Sequence, residues 1–316
     1  MTTSLSTIDL SDVVIPFGPV PAGQITSPAF LRASGHATRC LPGKLHDPLV
    51  DFTDSSSQAG ALLIRGLPVG QLPPTPERPT SVSAKDMWTE YLLLTIARRL
   101  GQPVGYLPEH GGDIVQNIVP TKGSAARQTS TSSGVELLFH TEAAFHPHRP
   151  RFLLLLCLRG DRNAATTLAS VHDAVATLPA SIVATLREPR FRTAPDASFR
   201  REAVTAAPLG PELAVISGSD TTPTLVFDED LMVGTDTEAA AALEQLAGAL
   251  KATHRSVVLA PGDLLVVDNF TAVHGRTPFT PRFDGTDRWL QRSFVVSDLA
   301  PSAAERIGRI ITSTFD

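Results

Sequence analysis

Cysteine is almost missing from this chain of 316 residues, which has only Cys40 and Cys157. Cys157 sits inside the apolar run Leu153-Leu154-Leu155-Leu156-Cys157-Leu158, as a small buried hydrophobe would. Neither a disulfide framework nor a cysteine zinc motif is available. No apolar run approaches the roughly 18 residues that a membrane-spanning helix needs, and Met1 to Leu10 lacks the basic start and apolar stretch of a secretion signal. No membrane partner is expected, and the expected compartment is the cytoplasm. Positive charge is not in excess either, because 27 Lys and Arg against 32 Asp and Glu leave a formal net charge of -5. Such a chain has no global field to hold nucleic acid. A small-molecule partner is left, and composition sets no oligomeric state.

With 42% hydrophobic and 19% charged residues, the chain can bury a large globular core. Residues 1–58, rich in Ser, Thr, Pro and Gly, predict an irregular or partly helical N-terminal segment packed on that core. Residues 59–316 then form the main domain. Residues 61–67 read as a first core strand, and the proline-rich residues 71–80 as a surface loop. Residues 84–100 carry an apolar stripe that ends at Gly101 and predict a helix. Further helices are expected over 172–187, around Pro179, and over 237–254. Strands are expected over 113–119, 135–139, 152–158, 166–171, 256–259, 264–268 and 289–296. A hairpin is expected over 213–227, about Gly218-Ser219-Asp220. Many short strands without βαβ alternation or internal repeat predict a mainly β fold with flanking helices, a double-stranded β-helix or jelly-roll core. Two polar segments, near 105–134 and 218–235, have the character of lids.

The chemistry concentrates at Phe139-His140-Thr141-Glu142. On an extended backbone, His140 and Glu142 point to one face and Thr141 to the other. Imidazole and carboxylate side by side are two parts of a 2-His-1-carboxylate iron site. A second histidine is available in Val273-His274-Gly275-Arg276, just past the apolar run 264–268. The strand 289–296 extends the pattern, because alternation puts Arg288, Leu290, Arg292 and Phe294 on one face. Two arginines sharing a face with Leu290 and Phe294 point inward and need anions, which a guanidinium captures best as carboxylates. Residue by residue, this describes a mononuclear iron pocket able to hold two carboxylic acids.

At these positions the chain resembles the clavaminate synthase-like Fe(II)/2-oxoglutarate oxygenases, including the hydroxylases of free L-asparagine, L-arginine and L-lysine. The matching stretches are Arg65-Gly66-Leu67-Pro68, Leu72-Pro73-Pro74-Thr75-Pro76, Phe139-His140-Thr141-Glu142-Ala143-Ala144-Phe145, Leu158-Arg159-Gly160-Asp161, and Val267-Asp268-Asn269 through His274-Gly275-Arg276 to Asp284-Gly285-Thr286-Asp287-Arg288-Trp289-Leu290. The resemblance implies that His140, Glu142 and His274 bind Fe(II). It also implies that Arg288, assisted by Thr167, binds the far carboxylate of 2-oxoglutarate, and that O2 is the oxidant. Arg292 matches the arginine that holds the substrate α-carboxylate, and Glu109 a carboxylate that meets its amino group. Thr131 in the lid is a further expected contact. Asp228 and Asp230 look like the acidic lid of the arginine and lysine enzymes. Gln128-Thr129-Ser130, Val135-Glu136-Leu137 and Leu231-Met232 look closest to the lysine hydroxylases.

The expectation is therefore hydroxylation of a free L-amino acid, L-lysine before L-arginine or another free or carrier-bound amino acid. Attack is expected at C3 or C4, with release of succinate and CO2. A silent jelly-roll binding module would not need Arg288 beside a full metal triad. A halogenase would need a small residue in place of Glu142. His146 and His148 are expected at the surface or behind the ligands. His36, His46, His110, His172 and His254 receive no role.

Overall fold

The computed structural model describes residues 3–55, 57–80, 85–200 and 208–315. Its centre is a pair of β-sheets. The larger runs in the order Ser6–Asp9, Ala61–Arg65, Leu264–Asp268, Phe152–Arg159, Trp289–Val296, Gln102–Tyr106, Ile310–Ile311 and Arg306–Ile307, with Gln116–Ile118 also paired to Trp289–Val296. The smaller runs Arg255–Val258, Ala165–Ser170, Ala272–Arg276 and Leu137–His140. All pairings in the smaller sheet are antiparallel.

Period-two alternation distributes the long apolar strands between two cores. Leu153, Leu155, Cys157, Leu265, Val267, Leu290 and Phe294 face inward, where they meet Leu168 and Val257 of the smaller sheet. Their neighbours Leu154, Leu156, Leu158, Leu264 and Val266 face the opposite way. There they are covered by the helices Pro28–Ala37, Gly43–Asp54 and Trp88–Leu100. The outer face of the smaller sheet is covered by Val171–Val175, Ala180–Leu186 and Thr237–Thr253 through Ala169, Val273, Leu246 and Leu250. Burying each large aliphatic side chain in these layers contributes about 1.5–3 kcal/mol. The result is the mainly β jelly roll with flanking helices that the strand pattern predicts.

Several expectations need correction. The N-terminal segment is more regular than its composition suggests. Ser6–Asp9 adds a parallel edge to Ala61–Arg65, and two helices follow. The first of these starts at Pro28, where a fixed φ suits the first turn, and the Ser27 hydroxyl accepts from the Phe30 amide at 3.2 Å. The second contains Pro48, which obscured it in the sequence. The helix expected over 84–100 is Trp88–Leu100; Lys85 to Met87 are not helical, and residue 84 lies outside the described residues. The region 172–187 is two short helices, Val171–Val175 and Ala180–Leu186, separated at Pro179. His274 does follow the buried strand Leu264–Asp268, and it lies within a further strand, Ala272–Arg276. Among the described residues, no helix is long and apolar enough to cross a membrane.

Candidate active site

His140 ends the strand Leu137–His140, and the antiparallel register sets it directly against His274. Their rings lie 4.4 Å apart, centroid to centroid. Close approach here requires Gly275, since a Cβ at that position would stand 2.5 Å from the Leu137 carbonyl oxygen and 2.8 Å from Thr167 Oγ1. Beyond His140 the chain leaves the ladder and turns sharply, with Ala143 at φ 51. That turn brings Glu142 Oε1 to 3.4 Å from His274 Nε2. Asn269, fully buried, fixes the turn. Its Oδ1 accepts from the Glu142 amide at 2.7 Å, and its Nδ2 donates to the carbonyls of Glu142 at 3.1 Å and Pro150 at 2.9 Å.

The ligating atoms of His140, Glu142 and His274 all lie within 4.8 Å of one another, close enough for one ion to bridge them. The donor set fits Fe(II), for which two imidazoles and a carboxylate are the expected ligands. His140 Nδ1 lies 2.8 Å from the Leu138 carbonyl, so a proton there donates and Nε2 is left for the metal. Burial pulls the Glu142 carboxyl upward, but Arg292 and the two histidines outweigh it and hold Glu142 well below the usual carboxylate range. His274 is lowered to about 4 by burial and then by the charge of His140, so it is neutral at neutral pH, as a ligand must be.

The triad stands in a cavity of about 730 Å³ between the sheets. Arg288 and Arg292 both line it, as strand alternation requires. Arg288 is 7% exposed and, among the described residues, has no hydrogen-bond or ion-pair partner. Its burial lowers it to about 10. Such a guanidinium calls for an anionic ligand. Thr167 does not reach it. Leu168 packs between the sheets and Ala169 packs outward, so the inward hydroxyl is that of Thr166, which lines the cavity with a buried Oγ1 that has no partner among the described residues. The expectation for Thr167 was off by one residue, which in a strand reverses the face.

Arg292 is engaged already. Its Nε donates to Gln116 Oε1 at 2.8 Å, its Nη1 to Glu142 at 3.1 Å, and its Nη2 pairs with Glu109. Glu109 is therefore an arginine partner as well as part of the cavity wall, and Thr131 lines the wall too. Asp228 Oδ1 caps its own turn, accepting from the amides of Asp230 at 2.9 Å and Leu231 at 2.8 Å. An isolated bridge sets Asp228 beside His140. Asp230 also lines the cavity.

The sequence reading missed Thr166, Gln116, Arg276, His110 and Asp196, all but Gln116 in the cavity wall. Asp196 is raised to about 7 by burial and then by the charge of Asp228. His110, at φ 49, is lowered to about 4, chiefly by burial. Gln116 could have been found from the register, where it is the ladder partner of Arg292. No local signal marks Asp196, which lies in an irregular loop. His146 is not a surface residue but is 3% exposed, in a box of Tyr106, Phe145, Phe199 and Phe315.

Jelly roll, facial triad and inward arginines together define a mononuclear non-haem iron oxygenase. Residues 41–294 match the Taurine catabolism dioxygenase TauD, TfdA family, and the chain belongs to that family. It is 43% identical over 282 residues to the L-lysine 3-hydroxylase of Catenulispora acidiphila, covering 87% of this chain and 78% of that protein. The crystal structure of asparagine oxygenase in complex with Fe(II), 2S,3S-3-hydroxyasparagine and succinate superposes with a TM-score of 0.90 at 36% identity, covering 98% of this chain and 99% of that one. The non-heme iron oxygenase OrfP, solved with Fe and alpha-ketoglutaric acid, gives a TM-score of 0.82 at 33% identity over 92% of each chain. The chain is an Fe(II)/2-oxoglutarate-dependent dioxygenase of the amino-acid hydroxylase type.

Proposed function

We propose that the protein hydroxylates a free L-amino acid with a cationic side chain, L-lysine first, at C3 or C4. The observation that carries this reading is the acidic corner of the cavity, where Asp196, Asp228 and Asp230 line the wall on the lid side. Among the described residues, no lysine or arginine pairs with any of the three. A side-chain ammonium there would relieve their mutual repulsion. Coulomb attraction in a partly closed cavity also exceeds that in water severalfold. The 43% identity to an L-lysine 3-hydroxylase supports the same substrate class.

In this proposal His140, Glu142 and His274 hold Fe(II). Bound iron, with 2-oxoglutarate and O2, supplies the oxidation, yielding succinate, CO2 and an oxygen atom for an unactivated C–H bond. The chain's own work is orientation. Arg288, with Thr166 beside it, receives the far carboxylate of 2-oxoglutarate. Arg292 receives the substrate α-carboxylate through its remaining Nη1 N–H, while Glu109 turns from Arg292 to the substrate ammonium. Thr131 and Gln128 line the loop over the substrate. Asp230, with Asp196 and the free oxygen of Asp228, anchors the side-chain cation. A substrate held at both ends presents one C–H to the metal.

The test is to reconstitute the protein anaerobically with Fe(II) and screen the common free L-amino acids, reading succinate and the gain of one oxygen together. Lysine is the expected substrate, with arginine next. Asp230→Asn should weaken a cationic substrate by roughly tenfold while sparing a neutral one. Equal losses for both would reject the acidic corner, and turnover of asparagine alone would reject the cationic class.

A further inference from the structure

The cavity holds a third buried guanidinium besides those of Arg288 and Arg292. Arg276 is 3% exposed and ends the strand that carries His274. Its ladder partner is Thr166, so the two point to the same side, and both line the cavity with Arg288. Arg276 Nη2 donates to Ser132 Oγ at 2.9 Å and to the Val135 carbonyl at 3.1 Å. Its face lies 5.1 Å from the Phe279 ring centroid. Among the described residues, Nε and Nη1 are buried without a partner, as is Thr166 Oγ1. Three of the five guanidinium N–H bonds are therefore unused among the described residues, and the cation Arg288 lines the same cavity. An arrangement of this kind calls for one anion shared by both.

The acceptors of Nη2 belong to the loop before the ligand strand. That loop closes on itself through Thr121 N to Thr131 O at 3.1 Å and Gly134 N to Ala125 O at 2.8 Å. Its base is buried, with Ser132 and Ser133 each 1% exposed. Its far end, Arg127 to Thr131, lines the cavity. A single guanidinium thus touches both the loop that covers the amino-acid side and the pocket of Arg288.

We infer that Arg276 is a second binding residue for the far carboxylate of 2-oxoglutarate and ties the occupancy of that site to the order of the 121–135 loop. The inference rests on Arg288 as the main receptor of that carboxylate. An anion shared by the two arginines satisfies the idle N–H bonds of Arg276, fixes its rotamer and thereby fixes the two hydrogen bonds at the loop base. Arg276 acts on the amino-acid side only by positioning.

The experiment uses protein loaded with Mn(II), without turnover, titrated calorimetrically with 2-oxoglutarate and with 2-oxopentanoate, which carries a methyl in place of the far carboxylate. Arg276→Gln should weaken 2-oxoglutarate by roughly tenfold to a hundredfold and 2-oxopentanoate by less than about threefold. Arg276→Lys, which keeps the charge but not the fork, should recover part of the loss. Hydrogen exchange is read in parallel, and 2-oxoglutarate should slow exchange over residues 121–135 in the wild type but not in Arg276→Gln. Ser132→Ala should hold 2-oxoglutarate within about threefold of wild type yet reduce that protection. Equal losses for the two oxo acids, or unchanged protection in Arg276→Gln, would overturn the inference. Arg288→Gln separates the two levels. If it loses 2-oxoglutarate affinity and Arg276→Gln does not, the role of Arg276 falls alone; if Arg288→Gln binds normally, the assignment beneath it fails.

Discussion

Asn269 offers the sharpest test of how the proposed iron site is held, because it touches Glu142 only through backbone. Replacing it with alanine removes one acceptor and two donors from a fully buried position. The Glu142 amide and two carbonyls, those of Glu142 and Pro150, lose their partners. A typical internal hydrogen bond contributes about 1 kcal/mol net, and a buried group left unsatisfied costs about 1–3 kcal/mol. Allowing for partial relaxation, Asn269→Ala should cost on the order of 3–4 kcal/mol, a large share of a protein's marginal stability. The Ala143 turn, at φ 51, would be free to relax, and Glu142 would lose its aim. Metal affinity should therefore fall by roughly tenfold to a hundredfold, the usual effect of losing a group that orients a ligand. Asn269→Asp is the control. Its carboxylate can accept from the Glu142 amide but faces two carbonyl oxygens with no proton to donate, so it should be nearly as damaging. Urea unfolding and Co(II) titration of the metal-free protein read the two effects separately. If Asn269→Ala keeps both its urea midpoint and its Co(II) affinity, the orienting role is refuted.

Three other expectations follow from the same geometry. Asp196 titrates near 7, so it is neutral below that pH and charged above it. Its attraction for a cation grows as pH rises, and on the proposed function the KM for lysine should fall by up to roughly tenfold between pH 6 and pH 8, an effect that Asp196→Asn should flatten. A neutral substrate should not share this trend. His146, lowered to about 4 by burial and then by His148, is neutral when folded, whereas an exposed histidine titrates near 6.5. The unfolded chain binds the extra proton in that window, so stability falls as pH falls, by about 2 kcal/mol between pH 7 and pH 5 from this residue. Urea midpoints at both pH values should move less in His146→Leu, and an unchanged pH dependence would reject the assignment. Gly275→Ala should cost about 1–3 kcal/mol. By forcing the Leu137–His140 strand away from His274 it should also weaken metal binding, read by Co(II) absorption.

Much of the cavity wall is legible in the sequence, for identifiable reasons. His140 and His274 each adjoin an apolar run, and Arg288 and Arg292 share parity with Leu290 and Phe294. Two-residue periodicity is a local property of extended backbone, and it survives folding. The same rule failed at Thr167 because both threonines are plausible by spacing, and only the pairing of Val257 with Thr166 and the inward packing of Leu168 decide the face. The N-terminal helices were obscured by Pro48 and by a composition of caps and turns, whose helical fate depends on burial of Phe30, Leu45, Leu49 and Phe52 against the larger sheet.

Short stretches of sequence were enough to read the jelly-roll class, to single out His140, Glu142 and His274, which the fold brings together, and to turn Arg288 and Arg292 inward, since each follows from alternation, charge and residue chemistry. Tertiary structure alone decided what those groups meet. It left Arg288 without a partner among the described residues, engaged Arg292 with Glu109, Glu142 and Gln116, and brought Asp196 near Asp228. It also ran Arg276 from the loop base into the cavity. Those partners are supplied by segments 32 to 183 residues away along the chain; such contacts depend on how two sheets close over one another, which no local pattern encodes.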